Sequence, residues 1–222
     1  MANLGNRIAD LIGSDYEVIP SNSVDDLINA GISEVADMLP PDLLLKYSTA
    51  PIELDASPST ATDIEGKKIL LVTRLDAGAG KERECTAVSI PDFNRAKDSD
   101  SIYLATKFSP VYYYNGSVAG GSTLEIYPTP TDAEKAYVYN FEYPNTSQKG
   151  VSTLSGLPDE AIQAVAIKAS INILTTYVSD FVQDEEDVEL QQMIEAQKAS
   201  LVRDFQQEMS RWMEQDATPR GE

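Results

Sequence analysis

The chain has 222 residues, 42% of them hydrophobic, which is enough for one substantial domain or for a core that carries an inserted subdomain. Thirty-six acidic residues against seventeen basic give a formal charge of -19, which opposes binding to free nucleic acid because phosphate contacts need clustered lysine and arginine. With no histidine, the chain lacks the commonest general base, the commonest zinc ligand and any Ser-His or Cys-His nucleophile pair, and its one cysteine, Cys85, excludes an internal disulfide.

The opening "MANLGNRIADLIG" has neither a basic n-region nor a long apolar run, so no secretion signal is expected and folding in a reducing cytosol follows. Next, "SVDDLINAGISEVADML" sets Val24, Leu27, Ile28, Ile32, Val35 and Met38 on one stripe behind Ser23 as N-cap, the pattern of an amphipathic helix. Pro40 and Pro41 end it, and "PDLLLKY" starts a short second helix with Pro41 at its first position.

Residues 50–66 are rich in Ser, Thr, Pro and Asp and read as a linker. "KKILLVTRLD" and "RECTAVSI" then read as strands on either side of "DAGAGK". That glycine run resembles a phosphate loop but fails in detail. Leu75 stands where the first glycine would be, Glu82 follows Lys81 in place of Ser or Thr, and a hairpin turn is the better reading. "PDFNRAKDSDSIYLATK" reads as a loop with one or two helical turns. "PVYYYN" and "STLEIYP" form the arms of a hairpin, and "EKAYVYNFEYP" adds a third strand to the same sheet. Its alternation puts Tyr137, Tyr139, Phe141 and Tyr143 on one side and Val138, Asn140 and Glu142 on the other, with the aromatic side expected to pack in the sheet core or at a subunit contact.

The segment "LPDEAIQAVAIKASINILTTYVSDFV" places Ile162, Ala166, Ala169, Ile173, Tyr177 and Phe181 at helical spacing. Gln163, Lys168, Ser170 and Asn172 make it too polar to span lipid. "DEEDVE", Asp184 to Glu189, sets Glu185 and Glu189 four residues apart, which would suit a hard cation, but acids at the start of a helix are what its dipole favours. The helix beginning near Glu186 and running to about Met213 carries Leu190, Ile194, Leu201, Phe205 and Trp212, with Gln197 and Glu208 interrupting the seam. No catalytic, metal-binding or cofactor-binding residue stands out, and no enzyme activity is expected. The fold class that follows is α+β, mainly α. A helical bundle of the N-terminal helices and two long C-terminal ones carries a β-rich inserted subdomain, with divisions at 1–50, 51–156 and 157–222.

Three stretches inside this order, "DSIYLATKFSPVYYYNG", "LEIYPTPT" and "LPDEAIQAVAIKAS", resemble the head-to-tail adaptor (connector) proteins of tailed bacteriophages. The likeness covers about Ser23 to Met213 and rests on structural patterns. It implies a virion protein at the head-tail junction, made in the bacterial host and forming a dodecameric homo-oligomeric ring. Such a ring binds the portal on one side and a neck or tail protein on the other, and DNA passes through its channel without specific binding. It also implies portal docking through the C-terminal helix, with Arg203, Phe205, Met209, Arg211, Trp212 and Met213 as candidates. On that view the segment from Phe205 onward has no surrounding structure until it meets the portal. Candidates for contacts between subunits are Tyr112, Tyr114, Tyr137, Tyr139, Phe141 and Tyr143. A competing expectation is a carbohydrate-binding accessory module that uses the Tyr-rich sheet as its platform.

Overall fold

The computed structural model describes residues 3–13, 21–57, 59–61, 64–115, 122–144, 146–179 and 188–217. These residues form two compact units, a helical one from residues 1–47 and 143–222 and an inserted β-rich one from residues 48–142.

The helical unit is built around α5 (Ala161–Tyr177), which is apolar on nearly every face. Ile162, Ala164, Val165, Ala166, Ile167, Ala169, Ile171, Ile173 and Leu174 are all buried. A helix of that kind must be enclosed by others. Here α1 (Leu4–Ile12), α2 (Ser21–Met38) and α6 (Val188–Ala217) all pack on it, while α3 (Pro41–Tyr47) follows Pro40 and buries Leu44. The stripe expected on α2 is buried at Val24, Ile28, Ile32 and Val35, but Leu27 is half-buried and Met38 is 46% exposed. Gly31, Ala36 and Leu39 fill the remaining inward positions. At Gly31 a Cβ would lie 3.0 Å from the Ala169 nitrogen and 3.1 Å from its Cα, so glycine lets α2 and α5 approach backbone to backbone. Three polar residues on this seam are paired with one another. Lys168 bridges to Glu34 at 2.6 Å, Asn172 donates to the same carboxylate at 3.2 Å, and the Lys168 ammonium also stands 5.8 Å from the centre of the Phe205 ring of α6.

The sequence reading passed over α1, which is short but tied at both ends. Asn3 accepts from the Asn6 amide at 2.8 Å as N-cap, and the amides of Leu4 and Gly5 donate to the carbonyls of Val151 and Lys149, both at 2.8 Å. At the other end Gly13 takes φ +83°, and Gln197 of α6 donates to the Leu11 carbonyl at 2.8 Å. Gln197, which breaks the apolar seam in the sequence, thus holds the end of another helix.

The inserted unit is a sandwich of two four-stranded sheets. One has the order β1-β8-β3-β4, formed by Ile52–Leu54, Ala136–Glu142, Lys67–Asp76 and Lys81–Glu84. The other has the order β2-β7-β6-β5, formed by Thr60–Ala61, Thr123–Tyr127, Val111–Asn115 and Thr86–Ala87. Residues 50–66 are therefore more than a linker: they supply an edge strand to each sheet. "RECTAVSI" is not one strand either, because the chain crosses between the sheets at Cys85. β8 pairs with β3 and β1 rather than joining the β6–β7 hairpin. Between the sheets lie Leu54, Ala61, Ile64, Val72, Cys85, Leu124, Ile126, Ala136 and Val138. The expected alternation along β8 holds, but the core face is the one with Ala136, Val138 and Asn140. Of the aromatic set, Tyr137 and Tyr139 are half-buried and Phe141 is buried. Small and β-branched side chains suit the narrow gap between two sheets better than tyrosine rings with hydroxyls to satisfy. On the far face of the second sheet, α4 (Ile90–Lys97) packs Phe93 and Ala96 against Val111, Tyr113 and Tyr127. Ser89 caps that helix by accepting from the Asp92 amide.

Two ion clusters fix this unit. Arg74, 3% exposed, donates to the Pro128 carbonyl at 2.9 Å and pairs with Glu134 at 2.6 Å, holding the segment that follows the cis Tyr127–Pro128 peptide bond. Asp76, 1% exposed at the start of the hairpin turn, pairs with Arg83 at 3.3 Å and Lys107 at 3.2 Å. The "DAGAGK" run is this turn. Gly80 takes φ +61°, and a Cβ on Gly78 would sit 3.3 Å from the Lys107 ammonium.

Replacing Gly31 by valine should cost about 1–3 kcal/mol, because the new side chain meets backbone rather than a yielding side-chain end. Denaturant unfolding monitored at the helical signal measures it, and an unchanged midpoint would refute the close approach. A second prediction concerns Asp76. Burial alone would raise its carboxyl, but Lys107 and Arg83 outweigh that and hold it below the usual 3.8. A lowered folded-state value contributes stability above the unfolded-state value and loses it as pH falls through the folded one. Asp76→Asn should therefore melt earlier than wild type at neutral pH, with the gap closing below about pH 4; a gap independent of pH would rule the ion cluster out.

Candidate functional site

The eight aromatic residues between Tyr112 and Tyr143 are spent differently from one another. Tyr112 faces the core between the sheets, and burial first, then the neighbouring Cys85 and Glu84, raises its hydroxyl above the ordinary tyrosine range. Tyr113 turns to the other face and packs on Phe93 with ring centres 5.9 Å apart. Tyr114, at the end of β6, is 42% exposed. Tyr139 is raised by burial and by the acidic neighbour Glu82. Tyr143 belongs to the helical unit, where its hydroxyl donates to Asp37 at 2.6 Å, and burial together with this bond pushes it well up. Of the six inter-subunit candidates, Tyr112, Phe141 and Tyr143 are engaged within one chain, which leaves Tyr114 and the half-buried Tyr137 and Tyr139 with surface to offer.

The C-terminal candidates divide as well. Phe205 and Met209 are buried, 8% and 5% exposed, and α6 continues to Ala217, so both belong to the helical core and not to a segment without surrounding structure. The physical reason is spacing. Ile194, Leu201, Phe205 and Met209 continue one stripe of α6 that packs along α5. Outside the stripe, Arg203 is exposed and donates to the Ala199 carbonyl of its own helix. Arg211 is exposed and pairs with Glu208 at 3.0 Å, whereas Trp212, three residues after Met209 and seven after Phe205, continues the stripe and is half-buried. Position 213 lies on α6, but its side chain lies outside the described residues, as do residues 184–187 of the acidic run, leaving Glu189 exposed at the start of α6.

Among the described residues, the most exposed apolar group lies in "DSIYLATKF", a stretch the sequence marks by resemblance but not as a surface. In the loop after α4, Ile102 is 91% exposed, Tyr103 66%, Phe108 63% and Leu104 38%. Its backbone is nonetheless well held. Ala105 is buried and donates to Ala96 at 3.0 Å, the Leu104 and Tyr103 amides donate to the Ser101 carbonyl and hydroxyl, and the Phe108 amide donates to the Thr106 hydroxyl. Arg83 and Lys107, the partners of Asp76, stand 5.0 and 5.1 Å from the centre of the Phe108 ring. The available signal was a cluster of large apolar residues in "DSIYLATKF" with neither helical nor strand period.

Cys85, the single thiol, is buried in the sandwich. Burial pushes it up to about 12, with Arg74 opposing and Glu84 adding to the rise, so it is a packed side chain and not a nucleophile. Among the described residues no group of three or more Cys, Asp or Glu side chains could hold a metal ion, and no helix is long and apolar enough to cross a membrane.

A search of curated proteins finds no match. The family model for the SU10 adaptor protein, in contrast, matches residues 1–220. A match over nearly the whole length, on a helical unit carrying a β-rich insertion, identifies the chain as a member of the SU10 adaptor protein family of phage structural proteins.

Proposed function

We propose that this protein joins the portal to the neck or tail of a phage particle as an oligomeric ring, a dodecamer in the resemblance stated above, around the channel through which DNA passes. The observation that carries this reading is the family match over residues 1–220. Large apolar side chains standing in water support it, since surfaces of that kind mark sites of assembly. The protein acts by geometry, without turnover. Its acidity suits a channel: a lumen of the same sign as DNA repels phosphates, so the duplex slides without sticking.

Docking on the portal falls to α6, where Trp212 supplies a half-buried aromatic anchor at the end of the apolar stripe and the exposed Arg203 and Arg211 offer charge to acids of the partner. Met209 and Phe205, one and two turns before Trp212 on the same stripe, support it.

Replacing Trp212, Arg203 and Arg211 together by alanine should abolish capture by purified portal while leaving the melting temperature within a few degrees of wild type. Undiminished capture would remove α6 as the docking element. A chain ending at Gln206, by contrast, should melt lower, because it removes Met209 from the core. At moderate salt the isolated protein should show no shift of duplex DNA in a gel, since encounter with a charge of -19 is repulsive; tight binding would overturn the passive channel. Antibody labelling of virions that marks the head-tail junction tests the reading as a whole, and labelling elsewhere would end it.

A further inference from the structure

Charge is distributed unevenly between the two units. The helical unit has eight basic and twenty-two acidic residues, whereas the inserted unit has nine basic and fourteen acidic. Within the inserted unit no acidic residue occurs between Asp100 and Glu125, and the exposed loop lies in this stretch. Ile102, Tyr103, Leu104 and Phe108 stand exposed after Asp98 and Asp100, which open the loop, and Lys107 and Arg83 lie beside the Phe108 ring. Local hydrogen bonds hold the loop's backbone, and the Asp76 cluster holds the Phe108 ring, before any partner arrives, which lowers the ordering cost of docking.

We infer that this loop docks on the acidic helical unit of a second copy of the chain, making the contact between neighbouring subunits heterologous. The occupant follows from charge. Two helical units facing each other would bring together the two most acidic surfaces of the molecule, and like charges juxtaposed at an interface cost several kcal/mol. Against that same surface the apolar loop, with Arg83 and Lys107 at its Phe108 end, meets opposite charge at that end of its rim and buries apolar area at its centre. A head-to-tail contact of this kind propagates from copy to copy and closes into a ring when the rotation permits. The inference rests on the ring reading above and names the surface that builds the ring.

The test uses the full-length protein with Ile102→Asp and Tyr103→Asp combined, two exposed positions whose change leaves the core untouched. Wild type should sediment as oligomers at tens of micromolar. The variant, with the same circular dichroism and melting curve, should need at least roughly tenfold higher concentration to associate. A photoreactive phenylalanine analogue placed at Tyr103, in a mixture of isotopically light and heavy chains, should crosslink between copies onto residues 1–47 or 143–222. Crosslinks confined to one chain, or falling on residues 48–142 of the neighbour, would overturn the assignment. So would a wild-type protein that stays monomeric. If wild type and variant both form rings, the loop is wrong while the adaptor reading stands; if virions lack the protein at their junction, the adaptor reading fails whatever the loop does.

Discussion

A helix with almost no polar face has no place in water except among other helices, and α5 imposes that condition on the helical unit. The elements that enclose it come from both ends of the chain, α1 and α2 from the first forty residues and α6 from the last thirty-five. The β-rich unit is consequently an excursion in the chain, leaving after α3 and returning at Tyr143, whose hydroxyl bond to Asp37 of α2 fastens the returning segment. The small residues on the enclosing seam, Gly31 against Ala169, allow close approach, and three polar ones are paired: Lys168 and Asn172 share Glu34. Burial without such partners would cost more than the packing returns.

The inserted unit solves a different problem. A single sheet has two faces and two edges to protect, and here one face of each sheet is covered by the other sheet while α4 covers the outer face of the β6–β7 hairpin. Arg74 and Asp76, neighbours on one strand, then fasten the segments that loop away from the sheets. Besides the outer face of the first sheet, the apolar loop remains open, stiffened by a buried alanine and two cations. Its exposure is therefore built in by the structure around it.

What could be read in the sequence followed the length scale of the interaction. α2, α3 and α5 are legible because a long period of apolar residues, or a proline at the first turn, is local information; Val24, Ile28, Ile32 and Val35 are buried as the stripe implies. α1 was missed because nine residues make a weak period, although Asn3 and Gly13 mark both its ends. β1 and β2 are too short to show alternation, and they exist as strands only because β8 and β7 lie beside them. The membership of β8 in the first sheet depends on pairing with residues about seventy positions earlier, which no local pattern encodes. Alternation told which side chains share a face but not which face is buried, and the smaller set won. On α6, Phe205 and Met209 looked too near the chain end to be covered, yet the stripe they continue finds α5 along its length.

The crossing between sheets at Cys85 has a practical side. The only sulfhydryl in the molecule sits at the seam where the chain passes from one sheet to the other, shielded by apolar neighbours from both. A thiol reagent can reach it only when the sandwich parts, so the rate of its modification counts openings of the inserted unit alone. The helical unit has no such group, and its own loosening goes unrecorded by that chemistry. The two halves of the molecule thus carry different clocks, and one of them can be read with a reagent in a cuvette.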